Sequence, residues 1–300
     1  MISWIDRNNL EEENYNNCIS NSKQSLMYGY SWYLDLVCDE WNALVWKDYQ
    51  AVMPIPIRKK YGVSYVYPPL WVLQLGIFSQ NDAIPEQEFI EFLSKKVRFV
   101  ELRLNAKNAF LNQPVFQERN FQQLSLNHDY EWIYKNYQSD RKKDLKKAQK
   151  LGLQAKWSDR PENLIRLFQN NVGKRTPEIQ ERDYQNLSKL IHECMHRGKG
   201  EVLSIYHGEQ LVASAFFVKH QQTITILCSS TDFSNRNNGG NTLLIDLAIQ
   251  KYKTHYTILN FGGSSMKSIA SYFFSFGAQQ VSYPFLRQRK WPWFLRFLKV

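Results

Sequence analysis

Three stretches of this 300-residue chain place reactive or charged residues at spacings that chemistry can use. The first is Arg236–Asn241, RNNGGN, which leads into the helical string Thr242–Tyr252. A polar, glycine-bearing loop at a helix start collects unpaired backbone N–H groups around the positive end of the helix dipole. That is a seat for a phosphate or another anion. Arg236, Asn238, Gly239, Gly240 and Asn241 are therefore candidate cofactor-binding residues, with the glycines allowing close approach and Arg236 adding a bond from the rim. A surface loop carries little of a core's stability, so Gly239→Val is expected to abolish binding and leave the fold intact.

The second stretch is Arg141–Lys150, a helix in which Asp144 alone offsets six cations. Ser139 or Asp140 can cap it and Gly152 can end it. Leu145, Ala148 and Leu151 form its packing stripe, so all six cations are expected to face outward. A solvated linker helix is one reading and an anion-binding face is the other. The third stretch is His192-Glu193-Cys194-Met195-His196, an H-E-x-x-H string of the kind that holds zinc. Lys199 and Val202 stand where an extended motif needs Gly and His, and the later Glu201 and Glu209 flank a strand instead of supplying a glutamate ligand from a following helix. These histidines read as surface side chains, with no metal.

These stretches need a frame. A hydrophobic content of 43% can bury one large core or two ordinary ones, and the 15% aromatic content argues against disorder. Mean hydropathy is −0.50, and no apolar run approaches the roughly twenty residues of a transmembrane helix. The acidic, polar N-terminus does not read as a signal peptide. Four scattered cysteines without a C-x-x-C pair suit a reducing compartment, so a cytoplasmic protein is expected. The net charge of +10 favours an anionic partner: nucleic acid, a nucleotide-bearing cofactor or an anionic membrane surface. In the tail, Arg287–Lys299 interleaves cations with Trp291, Trp293, Phe294 and Phe297. It reads either as packed on its own domain or as a peripheral membrane contact.

Periodicity places the elements. Tyr30, Tyr33, Leu34 and Val37 mark a helix face. A hairpin follows, Ala43–Trp46 and Ala51–Ile57, in which Pro54 and Pro56 mark an edge or bulged strand. Then come a strand at Val63–Tyr67, a helix after Pro85 and a strand at Phe99–Leu104. Beyond the basic helix lie helices at Pro161–Val172 and Pro177–Arg197. The later strands are Thr223–Leu227 and Tyr256–Phe261, and the helix Ile269–Phe276 precedes a last strand through Tyr283. The order repeats: Gln50 aligns with Gln210, Val52 with Val212, Ser64–Tyr67 with Ile224–Leu227, and, after slight drift, Glu101–Leu104 with Ile258–Phe261. Repetition argues for duplication. The expected fold class is α/β with mixed sheets. Residues 1–130 form the first domain, 131–155 the basic linker helix and 156–300 the second domain, which alone keeps a phosphate loop.

Arg236, Gly239 and Asn241 fall on the Q/R-x-x-G-x-G/A pattern of GNAT-superfamily acyltransferases, with Asn241 in place of Gly or Ala. The strings Asn260-Phe261-Gly262-Gly263-Ser264 and Tyr272-Phe273-Phe274-Ser275-Phe276-Gly277-Ala278 resemble the second domain of FemAB-like transferases, which are tandem GNAT-fold proteins. Arg141, Leu145, Lys147 or its neighbour, Ala148 and Gly152 resemble that family's R-x-x-L-x-K-A-x-x-x-G segment, with Arg141 one residue ahead of the pattern's Arg, and Leu73–Phe78 resembles its Q-x-G-h-F segment. Asn260 replaces the family's acid, and Tyr272-Phe273 inverts its aromatic order.

The resemblance, which covers residues 28–285, implies two tandem GNAT-like domains and an N-acyltransferase. In that chemistry an amine attacks an activated carbonyl polarised by backbone N–H groups, here around Leu227–Ser230 with Ser229 among them, and an acid protonates the leaving group. The family's tyrosine position holds Phe273, so either Tyr272 takes over or catalysis is by proximity. Arg141, Lys143, Lys147, Gln74 and Ser264 are the substrate-binding candidates. No cofactor is expected to be permanently bound. The loop favours acyl-CoA as co-substrate, while the charge, the basic helix and the FemAB likeness favour aminoacyl-tRNA. The reading adopted is acyl-CoA or a related carrier-bound acyl group, with an amino-sugar or peptidoglycan-type amine as acceptor. A non-catalytic binder of RNA or an anionic surface is the rival of another class, motivated by Asn260 and Phe273.

Overall fold

The N-terminal strand β1 (Ile2–Asp6) and the helix α1 (Glu12–Asn21) begin a computed structural model that describes residues 1–60, 62–81, 83–110, 115–262 and 266–290. The chain divides into two units, Met1–Arg119 with Ser282–Val300, and Asn120–Val281. In the first unit α1 buries Tyr15, Cys18 and Ile19, and α2 (Ser31–Val37) buries the predicted face of Tyr33, Leu34 and Val37. The hairpin forms as β2 (Glu40–Trp46) and β3 (Ala51–Lys60), followed by β4 (Val63–Val66), β5 (Phe78–Ser79), α3 (Glu86–Lys96) and β6 (Phe99–Arg103). Ladder order is β1-β2-β3-β4-β6, with β5 on β3 and β4 parallel to β6.

β3 corrects one expectation. It is not an edge strand, because β2 pairs along one side while β5 takes Ala51 and Val52, and β4 takes Ile57–Lys60, on the other. The gap between those two partners spans Met53–Pro56. Pro54 and Pro56, which lack an N–H to donate, both lie in it.

β7 (Phe116–Ser125) carries the chain into the second unit. There follow α4 (Tyr130–Lys135), α5 (Ser139–Lys150), β8 (Gln154–Trp157), α6 (Pro161–Asn170) and α7 (Glu181–His196). The antiparallel run β9 (Gly200–His207), β10 (Gln210–His220) and β11 (Thr223–Thr231) comes next. Last are α8 (Gly240–Tyr252), β12 (Ile258–Asn260), α9 (Lys267–Phe274) and β13 (Gln279–Arg289). Within this unit the order is β7-β12-β11-β10-β9-β8, mixed because β11 and β12 run parallel. Its core brings Leu244, Ile245, Ala248 and Ile249 of α8 onto Ala213, Ala215, Phe217, Ile224 and Leu259 of the sheet, with Tyr137 and Phe276 alongside.

Both units thus run hairpin, strand, helix, parallel strand, the order that the sequence repeats. The closing strands come from distant chain: Ser125–Gln123 of β7 pair with β12, and Phe285–Arg289 of β13 pair with β6. Ser264 and the tail beyond Lys290 lie outside the described residues.

Candidate active site at the start of α8

Parallel strands β11 and β12 hold register over three pairs, Thr223 with Ile258, Ile224 with Leu259 and Thr225 with Asn260. There β12 ends, while β11 continues to Thr231 with β10 as its ladder partner. Asn260 closes β12 through its own side chain, whose Oδ1 accepts from Gly262 N at 2.9 Å. β11 is bulged where the two strands part company. Phe216 of β10 faces Cys228 and Phe217 faces Ile226, so Leu227 is the inserted residue. A bulge turns backbone groups out of the ladder, and this one lies in the Leu227–Ser230 segment named from sequence. Ser229 follows it, half-buried and opposite Ala215.

The loop after β11 is a short 3-10 turn, Phe233–Asn238, ending at Gly239 with φ of 79°. Asn238 is buried, and its Oδ1 accepts from Gly240 N at 2.8 Å. Gly239 and Gly240 are buried as well. The expectation of a surface loop is therefore corrected: α5 packs on it. A Cβ added at Gly239 would overlap the carbonyl oxygen of Asp144, lie 3.0 Å from that carbonyl carbon and reach the Ala148 methyl at 3.3 Å.

With α5 comes an anion. Asp144 Oδ2 accepts from Thr242 Oγ1 at 2.8 Å, placing a carboxylate on the first turn of α8, where the helix dipole favours negative charge. Arg141 Nη1 lies 3.1 Å from Thr242 Oγ1 and 3.1 Å from Asp144 Oδ2. Its guanidinium sits 4.5 Å over the Tyr272 ring. The outward face of α5 therefore differs from the sequence reading. Arg141 turns inward with its side chain 14% exposed, and Lys142 is half-buried with Nζ on Lys135 O at 2.9 Å. Lys143, Lys146, Lys147 and Lys150 are exposed. Leu151 is exposed rather than part of the packing stripe, and Gln138 holds the N-cap in place of Ser139 or Asp140.

Tyr272 on α9 points at the same spot, its hydroxyl 3.2 Å from Thr242 Oγ1. Burial raises its phenol above the ordinary value, against the opposing pull of Thr242, Arg141 and Asn241. A raised phenol is neutral near pH 7, so it has a proton to give. Phe273 stacks instead on Phe261 at 4.5 Å. Among the described residues, the buried donors Arg141 Nε and Asn238 Nδ2 of this cluster find no partner.

The structure thus gathers Arg141, Asn238, Gly239, Gly240, Asn241 and Tyr272 of the sequence-named residues. It sets others apart. Arg236 is exposed and stacks on Phe233 at 3.5 Å, and Arg175 reaches the same ring at 4.3 Å. Gln74, in the first unit, is buried and accepts from Ala106 N at 3.4 Å. His192 Nδ1 is 2.8 Å from Ser188 O and Nε2 is 3.3 Å from Glu162 Oε1. Among the described residues no three metal-binding side chains cluster, and no helix is long and apolar enough to cross a membrane. Asp144 and Thr242 were missed from sequence. The available signal was the lone acid in a cationic run, three residues after Arg141 and so on the same helix face.

Residues 135–268 match the family of acetyltransferase (GNAT) domains. No curated protein matches the chain in sequence. Among solved structures, FemX aligns with a TM-score of 0.65 at 10% identity, covering 92% of this chain and 96% of that one. The C-terminal domain of a putative lysylphosphatidylglycerol synthetase from Agrobacterium fabrum aligns at 0.57 and 10% identity, over 92% and 91%. A tandem GNAT protein from the clavulanic acid biosynthesis pathway aligns at 0.54 and 10% identity, over 97% and 99%. The chain has the tandem GNAT fold, and the stretch of its second unit that includes α8 is what matches the acetyltransferase (GNAT) domain model. Over most of its length that fold is similar to the fold of FemX.

Proposed function

We propose that the protein makes an amide by moving an aminoacyl group from RNA to an amine, with Tyr272 protonating the leaving oxygen. The observation that carries the choice of donor is the seat at the start of α8. In the acyl-CoA reading this seat takes the pyrophosphate. Here the backbone of Asp144 covers Gly239 and the Asp144 carboxylate occupies the helix end. A pyrophosphate would have to displace α5 and break its two hydrogen bonds to Thr242, from Arg141 and to Asp144. A polyanion, by contrast, can lie on the exposed face of α5, where Lys143, Lys146, Lys147 and Lys150 stand.

In the reaction the amine nitrogen bonds to the ester carbonyl carbon and the C–O bond to the terminal ribose breaks. The amine loses one proton to solvent, the leaving oxygen takes one from the Tyr272 phenol, and the phenolate recovers one from solvent. Backbone N–H groups around Leu227–Ser230 polarise the carbonyl. The acceptor class, an amine on an amino sugar or a peptidoglycan-type peptide, rests on the family resemblance.

The test uses labelled aminoacyl-tRNA and labelled acetyl-CoA as alternative donors with a panel of UDP-linked amino sugars and cell-wall precursor peptides. Label should pass from tRNA, and Tyr272→Phe should slow transfer about 10²–10⁴-fold. Reversing charge at Lys143 and Lys147 should weaken tRNA binding and flatten its salt dependence by about 0.7–0.9 in the log–log slope per contact. Transfer from acetyl-CoA alone, unaffected by the lysine reversals, would overturn the choice of donor.

A further inference from the structure

We infer that Asp144 and Thr242 are positioning residues that orient the Tyr272 hydroxyl, so that the basic helix α5 is a working part of the proton-donating machinery. The inference rests on the reading of Tyr272 as the acid. It follows from counting protons at Thr242, which is 2% exposed and has one hydroxyl proton. The Asp144 carboxylate, at 2.8 Å, is the strongest acceptor in reach and takes that proton. Thr242 Oγ1 then has only lone pairs left, and Arg141 Nη1 at 3.1 Å fills one. The remaining neighbour is the Tyr272 hydroxyl at 3.2 Å, which must donate. The phenol proton is therefore held toward the start of α8 at rest and turns to a leaving oxygen by rotation about one C–O bond.

Arg141 supplies the second half of the device. Its cation lies over the Tyr272 ring and would pull the phenol toward ionisation. Asp144 pairs with that cation at 3.1 Å and moderates the pull. Removing the carboxylate frees the Thr242 proton for a phenolate and leaves Arg141 uncompensated. Both changes favour loss of the proton that the reaction needs.

The test reads the phenol directly. With 2,3-difluorotyrosine incorporated in place of Tyr272, the titration is followed by 19F NMR at a pH the fold tolerates. Asp144→Asn should lower the midpoint by about one pH unit, the size expected for a partly screened charge at this range. Thr242→Val should raise it, and Thr242→Ser should restore it. Midpoints unmoved by both Asp144→Asn and Thr242→Val would overturn the inference whatever the reaction is. In the tRNA transfer assay, Thr242→Val should lower kcat about tenfold at unchanged KM and add nothing in a Tyr272→Phe background. A further, multiplicative loss in that background would make Thr242 merely structural and sink the inference. Tyr272→Phe without effect would instead sink the proposed function, so the two failures are distinguishable.

Discussion

Replacing Gly239 by alanine should unlatch α5 from α8. The new methyl would meet the Asp144 peptide, whose carbonyl carbon lies 3.0 Å from its ideal position, and the Ala148 methyl at 3.3 Å. Ordinary carbon contacts sit near 3.5–4.0 Å, so α5 must retreat by about 1 Å. That stretches the Thr242–Asp144 and Arg141–Thr242 hydrogen bonds beyond useful length, each worth about 1 kcal/mol. The left-handed backbone at φ of 79° adds roughly 1–2 kcal/mol for any residue with a Cβ. The total is about 3–4 kcal/mol. Gly152→Ala is the matched control, since Gly152 has φ of +63° and nothing within 4 Å of its Cβ position. It should cost only the backbone part. Urea unfolding of both variants gives the numbers. A Gly239→Ala loss no larger than that of Gly152→Ala would refute the packing argument.

Acid should destabilise the fold from pH 6.5 downward. Burial, helped by Lys199, lowers His220 to about 4. The folded state therefore stays neutral while the unfolded chain takes up a proton below about pH 6.5. Stability is full above that value, falls between pH 6.5 and 4, and levels off below. Glu201 adds to the loss at lower pH. Burial pushes its carboxyl up, but Lys251, Lys219 and Tyr252 together bring it below the usual value, so its contribution disappears as pH falls through the folded pKa. Urea midpoints against pH, with His220→Gln flattening the upper part, check the window; a flat profile from pH 7 to 5 would count against it. Asp246→Ala should cost about 2–4 kcal/mol, because the buried carboxylate accepts from Tyr130 at 2.9 Å, Tyr137 at 3.0 Å and Gln250 at 2.7 Å, and the tyrosines would keep unpaired hydroxyls. A thermal-unfolding series that includes Asp246→Asn, which keeps an acceptor, measures it; equal losses in the two variants would contradict the hydrogen-bond account.

Local pattern carried the elements and their order, because strand and helix periods are local properties. The first hairpin, the parallel pair and the helix α8 all stand within a few residues of their expected bounds. What stayed hidden was tertiary. Glycine permits any close approach, and sequence does not say that the backbone packed on Gly239 is that of Asp144. Arg141 looked like its lysine neighbours, yet it alone of the exposed-looking run reaches both Thr242 and an aromatic face. The inversion of Tyr272 and Phe273 was visible, but its outcome depended on the rotation of α9, which puts the phenyl on Phe261 and the phenol on Thr242.

The exchange of closing strands has a consequence for synthesis. The second unit is continuous, so it can complete its sheet as soon as residue 281 has been made. The first unit cannot, because the partner of β6 is Phe285–Arg289. At ribosomal rates of about 5–20 residues per second, the open side of β6 waits on the order of ten to forty seconds. An unpaired strand exposed for that long is an invitation to another nascent chain. The half of the molecule translated first is therefore the half that matures last.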